Sequence, residues 1–298
     1  MKIGILDLKE YEFIRDVAEK LKGADTEFFS VGDYNFEEPP IYDVVIDRLS
    51  FQNTYLRQVL MMLSLNGVYV INSPFSSAIN NKIIECDVAK SLKIKHPKTI
   101  ILPSNDENWE LGGAVREPDW DRIRKTMPLP CIMKPFDGFA WDNVYTVASY
   151  REAENIYNAM KPNHVMLLQE KIDYTEYFRV FCVGKRDVLI TKWVPKPLGM
   201  SICEKPQDKH LEVFGKRITD ATINLNRALD FDFNAVEWCI SEDGELYMIE
   251  SINEVPDIEK KSMPADYYWW IVDKFSELVM EKASSNEKNL TRFDSQKK

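Results

Sequence analysis

The sequence predicts a mixed α/β (α+β) fold with more than one lobe, and three observations predict it. Residues 1–31 read strand, helix, strand; short apolar runs then alternate with stretches of helical spacing as far as residue 250. A chain of 298 residues also fills two or three lobes more readily than one core, since single cores stop growing near ~250 to 300 residues. With 45% hydrophobic and 29% charged residues, the composition is that of a globular protein.

MKIGILDL is the first strand, and the run through Lys22 places Phe13, Ile14, Val17, Ala18 and Leu21 on one helical face. A short strand follows at Thr26 to Val31. The Gly-x-Gly-x-x-Gly of a dinucleotide site is missing from this β-α-β opening, which disfavours a Rossmann oxidoreductase. YDVVIDR (Tyr42 to Arg48) is an apolar strand ending in charge, where open α/β sheets present ligand contacts. Arg48 could hold a substrate carboxylate or pair with Asp47 or another acid. Tyr55 to Leu65 reads as a helix capped at Asn66-Gly67, and Val68 to Ile71 as a strand broken by Asn72-Ser73-Pro74. The first lobe, residues 1–78, ends there.

Asn81 to Leu92 is a helix opening on Lys82, and Thr99 to Leu102 a strand. Trp109 to Met127, with Gly112-Gly113, reads as loop or weak helix. CIMKP (Cys131 to Pro135) is a buried strand whose one charge, Lys134, is costly unless its ammonium meets an anion. FDGFAWDNVYTV turns at Asp137-Gly138 like a flap. Arg151 to Met160 is helical, Val165 to Gln169 a strand, and Tyr177 to Val183 and Val188 to Trp193 are strands hinged at Gly184. Pro195 to Lys209, with three prolines and three lysines, reads as a mobile loop. Arg217 to Leu229 and Pro264 to Lys282 are helices, the second carrying core aromatics. The tail, residues 284–298, is expected to be disordered.

Between those helices lies VEWCISEDGELYMIESINEVPD (Val236 to Asp257), a strand with Glu237, an Asp-Gly turn, and a strand ending in Glu250 and Asn253. On its own this suits either an ordinary surface hairpin or an all-oxygen site for Mg²⁺.

Composition narrows the classes. The net charge of −10 argues against a nucleic-acid partner. No apolar run approaches the ~18 residues of a membrane span, and the start lacks a signal peptide's apolar stretch, so no membrane role and a cytoplasmic location are expected. Five scattered cysteines without C-x-x-C spacing read as reduced, buried thiols, and His96, His164 and His210 are isolated.

Taken in order, the segments resemble the ATP-grasp superfamily, most closely its RimK-type and glutathione-synthetase-like carboxylate-amine ligases. YDVVIDR with VYVINSP, NNK and AKSLKIKHPKTIIL is similar to the junction between substrate lobe and small ATP lobe. CIMKPFDG is similar to the Lys-Pro-x-Asp-Gly strand and flap, LLQEKI to the adenine hinge, YFRVFCVG to the strand that follows, and the acidic hairpin to the magnesium site. The resemblance implies a substrate lobe at 1–78, a small ATP lobe at 79–168 and a C-terminal ATP lobe at 169–283. It implies Lys82 and Lys134 on the ATP phosphates beneath the flap turn at Gly138. Gln169, Glu170, Lys171 and Ile172 would meet adenine, with Glu176, or Asp173 behind it, on the ribose. Arg179 with Lys192 or Lys196 would neutralise the transferring phosphate, and Glu237, Glu250 and Asn253 would hold one or two Mg²⁺, with Mn²⁺ as a substitute.

Three departures stand out. The flap GFAWDNVY has a single glycine, Tyr177 stands where the matched strand has aspartate, and two residues rather than one separate Glu250 from Asn253, so a bulge is required. The reaction implied is ATP-dependent joining of a small-molecule or peptide carboxylate to an amine through an acyl phosphate, in a protein whose relatives form homo-oligomers. A kinase on the same scaffold and a nucleotide-binding protein without catalysis are the alternatives.

Overall fold

The computed structural model describes residues 1–35, 37–104, 115–138, 142–196, 201–285 and 287–289. They form three sheets. The first is parallel, in the order β2-β1-β3-β4, from β1 (Lys2–Leu6), β2 (Asp25–Phe28), β3 (Val44–Asp47) and β4 (Tyr69–Ile71). Helix α1 (Glu12–Lys20) buries Phe13, Ile14 and Val17, as the 3.6-residue spacing requires. Helix α2 (Thr54–Leu65) is capped at its start by the Asn53 side chain and stops at Asn66-Gly67, where Gly67 adopts φ +102°. The break expected at Asn72-Ser73-Pro74 is a helix start: α3 (Pro74–Ile79) has proline in its first turn, where the missing N–H costs nothing.

Next comes α4 (Lys82–Ser91), whose start is capped by the Asn81 carboxamide accepting from the Ile83 and Ile84 amides. The second sheet is antiparallel, ordered β5-β8-β6-β7, from β5 (Thr99–Leu102), β6 (Cys131–Pro135), β7 (Tyr145–Val147) and β8 (Met166–Glu170). Its core, including Met133, Val147 and Leu168, is covered by α5 (Trp120–Thr126) and α6 (Tyr150–Met160). The segment read as loop or weak helix is therefore helical at its end, whereas Gly112-Gly113 lie outside the described residues.

The third sheet runs β11-β10-β9-β12-β13, from β9 (Tyr174–Val183), β10 (Asp187–Val194), β11 (Ile202–Glu204), β12 (Phe233–Ser241) and β13 (Leu246–Glu250). Strand β11 corrects the reading of 195–209 as loop throughout; residues 197–200 lie outside the described set. Short α7 (Asp208–His210) leads through a π turn into α8 (Lys216–Leu229), and α9 (Ala265–Ser284) follows the hairpin. Gly244 at φ +81° makes the Asp243-Gly244 turn.

Two packing relationships position the site. One core joins α1 and the first sheet to α9 and to Phe181, Phe233 and Ala235 of the third, so the outer lobes form one body. A second core packs Ala89 and Val88 of α4 with Leu225 of α8 against Val180, Val236 and Met248. Helix α4 thus packs with the third sheet, although the sequence reading assigns it to the small lobe beginning at 79. Nor is the tail wholly disordered: Asn289 is buried, accepting from the Ser64 hydroxyl (2.9 Å) and the Val70 amide (2.8 Å) while donating to the Val70 carbonyl (2.9 Å). Among the described residues no helix is long and apolar enough to cross a membrane, and all five cysteines are unpaired.

Candidate active site

One face of the third sheet changes character along its length. Side chains directly opposite in an antiparallel pair share a face, and the register sets Phe181 beside Ala235, then Arg179 beside Glu237, then Tyr177 beside Cys239. The first pair belongs to the core; the second begins the site. Glu237 also stands opposite Glu250 of β13, and the register there passes from Glu237–Glu250 to Trp238–Met248, leaving Ile249 without an opposite number. This bulge precedes Glu250 and does not lie between Glu250 and Asn253, where the stretched spacing calls for a bend.

Buried charges gather around this point. Burial and repulsion from Glu250 raise the Glu237 pKa, opposed by Arg179, by a 2.6 Å hydrogen bond from the Tyr177 hydroxyl, and by Lys134 from the second sheet. Tyr177 is thus a donor to Glu237, and burial beside that carboxylate holds its own pKa well above 10. Arg179 is buried, its guanidinium stacked 4.5 Å from the Trp193 ring, with Nε unpartnered among the described residues. Lys134 is also buried, and its ammonium makes no hydrogen bond or ion pair with any described residue. Lys82, in the first turn of α4, lies 3.3 Å from Glu250 Oε1 and donates to the Gly138 carbonyl. The remaining flap residues 139–141 lie outside the described set.

Sequence reasoning missed Glu85. One turn after Lys82 on α4, this carboxylate is 1% exposed and accepts from the Ser251 amide (2.6 Å) and hydroxyl (3.1 Å). Burial, then repulsion from Glu250, push its pKa up to about 7 against the pull of Lys134, Ser251 and Lys82. Its spacing of three from Lys82 was the available signal. Three cations (Lys82, Lys134, Arg179) and three carboxylates (Glu85, Glu237, Glu250) therefore meet where the second and third sheets approach.

Other expected members lie elsewhere. Glu176 falls on the opposite face of β9: it lies 3.7 Å from His210, whose ring also meets Phe178. Alternation rules out a shared face with Tyr177 and Arg179. Lys192 is opposite Phe178 in the ladder and 3.7 Å from Glu204, so it too turns away from Arg179. Lys196 is exposed just past β10, its amide donating to the Ser201 hydroxyl. Arg48 takes up the alternative left open for it, an acid: Nε meets Asp7 at 3.0 Å and Nη2 donates to the Pro256 carbonyl, leaving Nη1 unpartnered among the described residues.

The segment read as the hinge joins β8 to β9. Gln169 is buried, donating to the Thr99 hydroxyl (3.0 Å); Glu170 engages the Lys98 backbone through its amide and carboxylate; Lys171 pairs with Asp173; Ile172 is half-buried.

The donor set fits a hard divalent cation. Glu237 and Glu250 repel across the β12–β13 pair, which a cation between them would relieve. Among the described residues no group of three or more His, Cys, Asp or Glu is placed to hold a metal, so two carboxylates with Asn253 would be the protein's share. That share suits Mg²⁺, which keeps waters and phosphate oxygens around it.

No family model matches the sequence, and no curated protein does. Solved structures do. D-alanine–D-alanine ligase from Bacillus anthracis, complexed with ATP, superposes with a TM-score of 0.68 at 18% identity, covering 95% of this chain and 97% of that one. The ATP-grasp ligase PsnB, complexed with a minimal precursor, Mg and ADP, gives 0.65 at 15%, covering 95% and 98%. The macrocyclase MdnC from Microcystis aeruginosa MRC, bound with precursor peptide MdnA, gives 0.65 at 16%, covering 94% and 100%. The fold is that of the ATP-grasp ligases.

Proposed function

We propose that this chain is an ATP-dependent ligase of the RimK and glutathione-synthetase type, joining the carboxylate of an amino-acid or peptide substrate to an amine. The observation that carries the reading is Lys134, a lysine 9% exposed without a direct hydrogen-bond or ion-pair partner among the described residues, in the field of Glu237 and Glu85. A buried lysine is costly unless an anion arrives to meet it, and a triphosphate is such an anion. Solved structures of the same fold hold ATP, ADP with Mg, or precursor peptides, which supports the nucleotide and the substrate class.

The chemistry asks for positioning and charge neutralisation. A substrate carboxylate oxygen attacks the γ-phosphorus of ATP and ADP leaves; the amine nitrogen then attacks the acyl carbon, phosphate leaves and the nitrogen sheds a proton. Lys82 and Lys134 would hold the phosphates and Arg179 would neutralise the group in transfer, with Lys196 approaching from its exposed segment. Mg²⁺, held by Glu237, Glu250 and Asn253, would supply charge neutralisation at the phosphate oxygens. Gln169 through Asp173 would meet adenine and ribose. Residues 1–78 form the substrate lobe, where Arg48, with Nε on Asp7 and Nη2 on the Pro256 carbonyl, keeps only a buried Nη1 without a partner among the described residues. The unpaired cysteines favour a reducing, cytoplasmic setting, and we propose a homo-oligomer on the resemblance alone.

The test is release of ADP and phosphate across a panel of amino acids and short peptides. The reading predicts release only when carboxylate and amine are both present, with one amide formed per ADP. No such dependence across the panel counts against it, and a stable phosphorylated product without amide identifies a kinase.

A further inference from the structure

We propose that Glu85 is a positioning residue for the metal-binding turn: from α4 it clamps Ser251 and, with Asn234 clamping from β12, brings Glu250 and Asn253 to one cation. The inference rests on the metal reading above and deepens it.

In an extended strand, residues three apart point to opposite faces, so Glu250 and Asn253 can share a ligand only if the intervening chain is bent. The structure bends it with two side chains. Strand β13 ends at Glu250, and the next residue, Ser251, gives both its amide and its hydroxyl to Glu85. Asn234 takes the other side, its Nδ2 donating to the Ser251 carbonyl (2.7 Å) and its Oδ1 accepting from the Asn253 amide (2.7 Å). The Asn253 carbonyl then accepts from the Ala235 amide at 3.1 Å, closing the turn onto β12. Glu85, Asn234 and Ser251 are each at most 1% exposed.

Ser251 needs only an acceptor, and a neutral carboxamide would supply one at lower cost than a buried carboxylate. The Glu85 carboxyl also faces Lys82 and Lys134. Because Lys82 and Glu85 share one helix turn, α4 fixes the phosphate lysine and the metal turn relative to each other.

The experiment measures Mn²⁺ binding by electron paramagnetic resonance in the presence of a non-hydrolysable ATP analogue, and analogue binding alone in EDTA. Glu85→Ala is expected to weaken Mn²⁺ binding tenfold or more while metal-free nucleotide affinity holds or rises, since a negative charge has gone. Glu85→Gln, which keeps an acceptor for Ser251, should recover to within threefold of the parent. A folded Glu85→Ala protein that binds Mn²⁺ within twofold of the parent, or that loses metal and metal-free nucleotide in parallel, overturns the proposal. Should Glu85→Ala not fold, Ser251→Ala decides: threefold weakening supports the clamp and less than 1.5-fold overturns it. Glu237→Gln separates the levels. If it leaves Mn²⁺ binding unchanged, the metal reading falls and takes the clamp with it; if it abolishes binding while Glu85→Ala does not, only the clamp fails.

Discussion

Lys82 Nζ, at the start of α4, stands 3.3 Å from Glu250 Oε1, at the end of β13, and the same ammonium donates to the Gly138 carbonyl at the root of the flap. One lysine thus connects the acidic hairpin to the flap. Lys82 is 13% and Glu250 30% exposed, so the pair is half-buried and its Coulomb gain is largely offset by desolvation, leaving about 1 kcal/mol of stability. Lys82→Met is therefore expected to move the melting midpoint by only about 2 °C while raising KM for ATP about tenfold, a loss of roughly 1.4 kcal/mol. A large fall in midpoint with unchanged KM would make Lys82 structural.

Lys134 is a different case. Its side chain has no direct partner among the described residues, but its charge draws down Glu237 and Glu85, so the desolvation an apolar side chain relieves is offset by the repulsion it releases among those acids. Lys134→Met should leave the midpoint in nucleotide-free buffer within about 2 °C of the parent, under ~1 kcal/mol. Calorimetry checks this, and a substantial drop would show that the lysine supports the fold.

Two acids set a pH dependence. Burial pushes Glu85 and Glu254 up to about 7 from 4.5, with repulsion from Glu250 adding to the first and from Asp47 to the second. Between those values the folded chain holds protons that the unfolded chain has shed, so stability from these groups is lost as pH rises from about 4.5 to about 7. Glu254→Gln removes one such group. Urea unfolding at several pH values should show the parent losing stability relative to Glu254→Gln across that window. A difference independent of pH would contradict the assignment.

Asn289 completes the open edge of β4 as a strand would, offering both an acceptor and a donor to Val70. Asn289→Ala leaves that amide, that carbonyl and the Ser64 hydroxyl without their partner. A loss of about 2 kcal/mol is expected, on the order of 5 °C in midpoint. An unchanged midpoint would show that the tail contributes nothing.

Periodicity made much of the fold legible. Phe13, Ile14 and Val17 announce α1, Asn66-Gly67 its neighbour's end, and Asp243-Gly244 the acidic hairpin. The site was legible where chemistry and strand position agree: a lone lysine in CIMKP and acids on paired strands. It was misread where facing mattered. The resemblance implies Glu176 and Lys192, but a one-residue step along a strand reverses the face, and both turn away from Arg179. Glu85 carries no local signal of its role, because only the tertiary fold brings α4 against Ser251. Arg48 lost its free fork to Asp7, forty-one residues away, a pairing that no local pattern encodes.

The most direct test is calorimetric titration of a non-hydrolysable ATP analogue with Mg²⁺ into the parent, Lys134→Met and Glu250→Gln proteins. If a triphosphate and its cation are held between the lysine-bearing and acid-bearing sheets, the parent binds one equivalent and each substitution weakens binding by about tenfold or more, roughly 1.4 kcal/mol. Parent binding that neither substitution alters, in proteins that remain folded, would contradict the account.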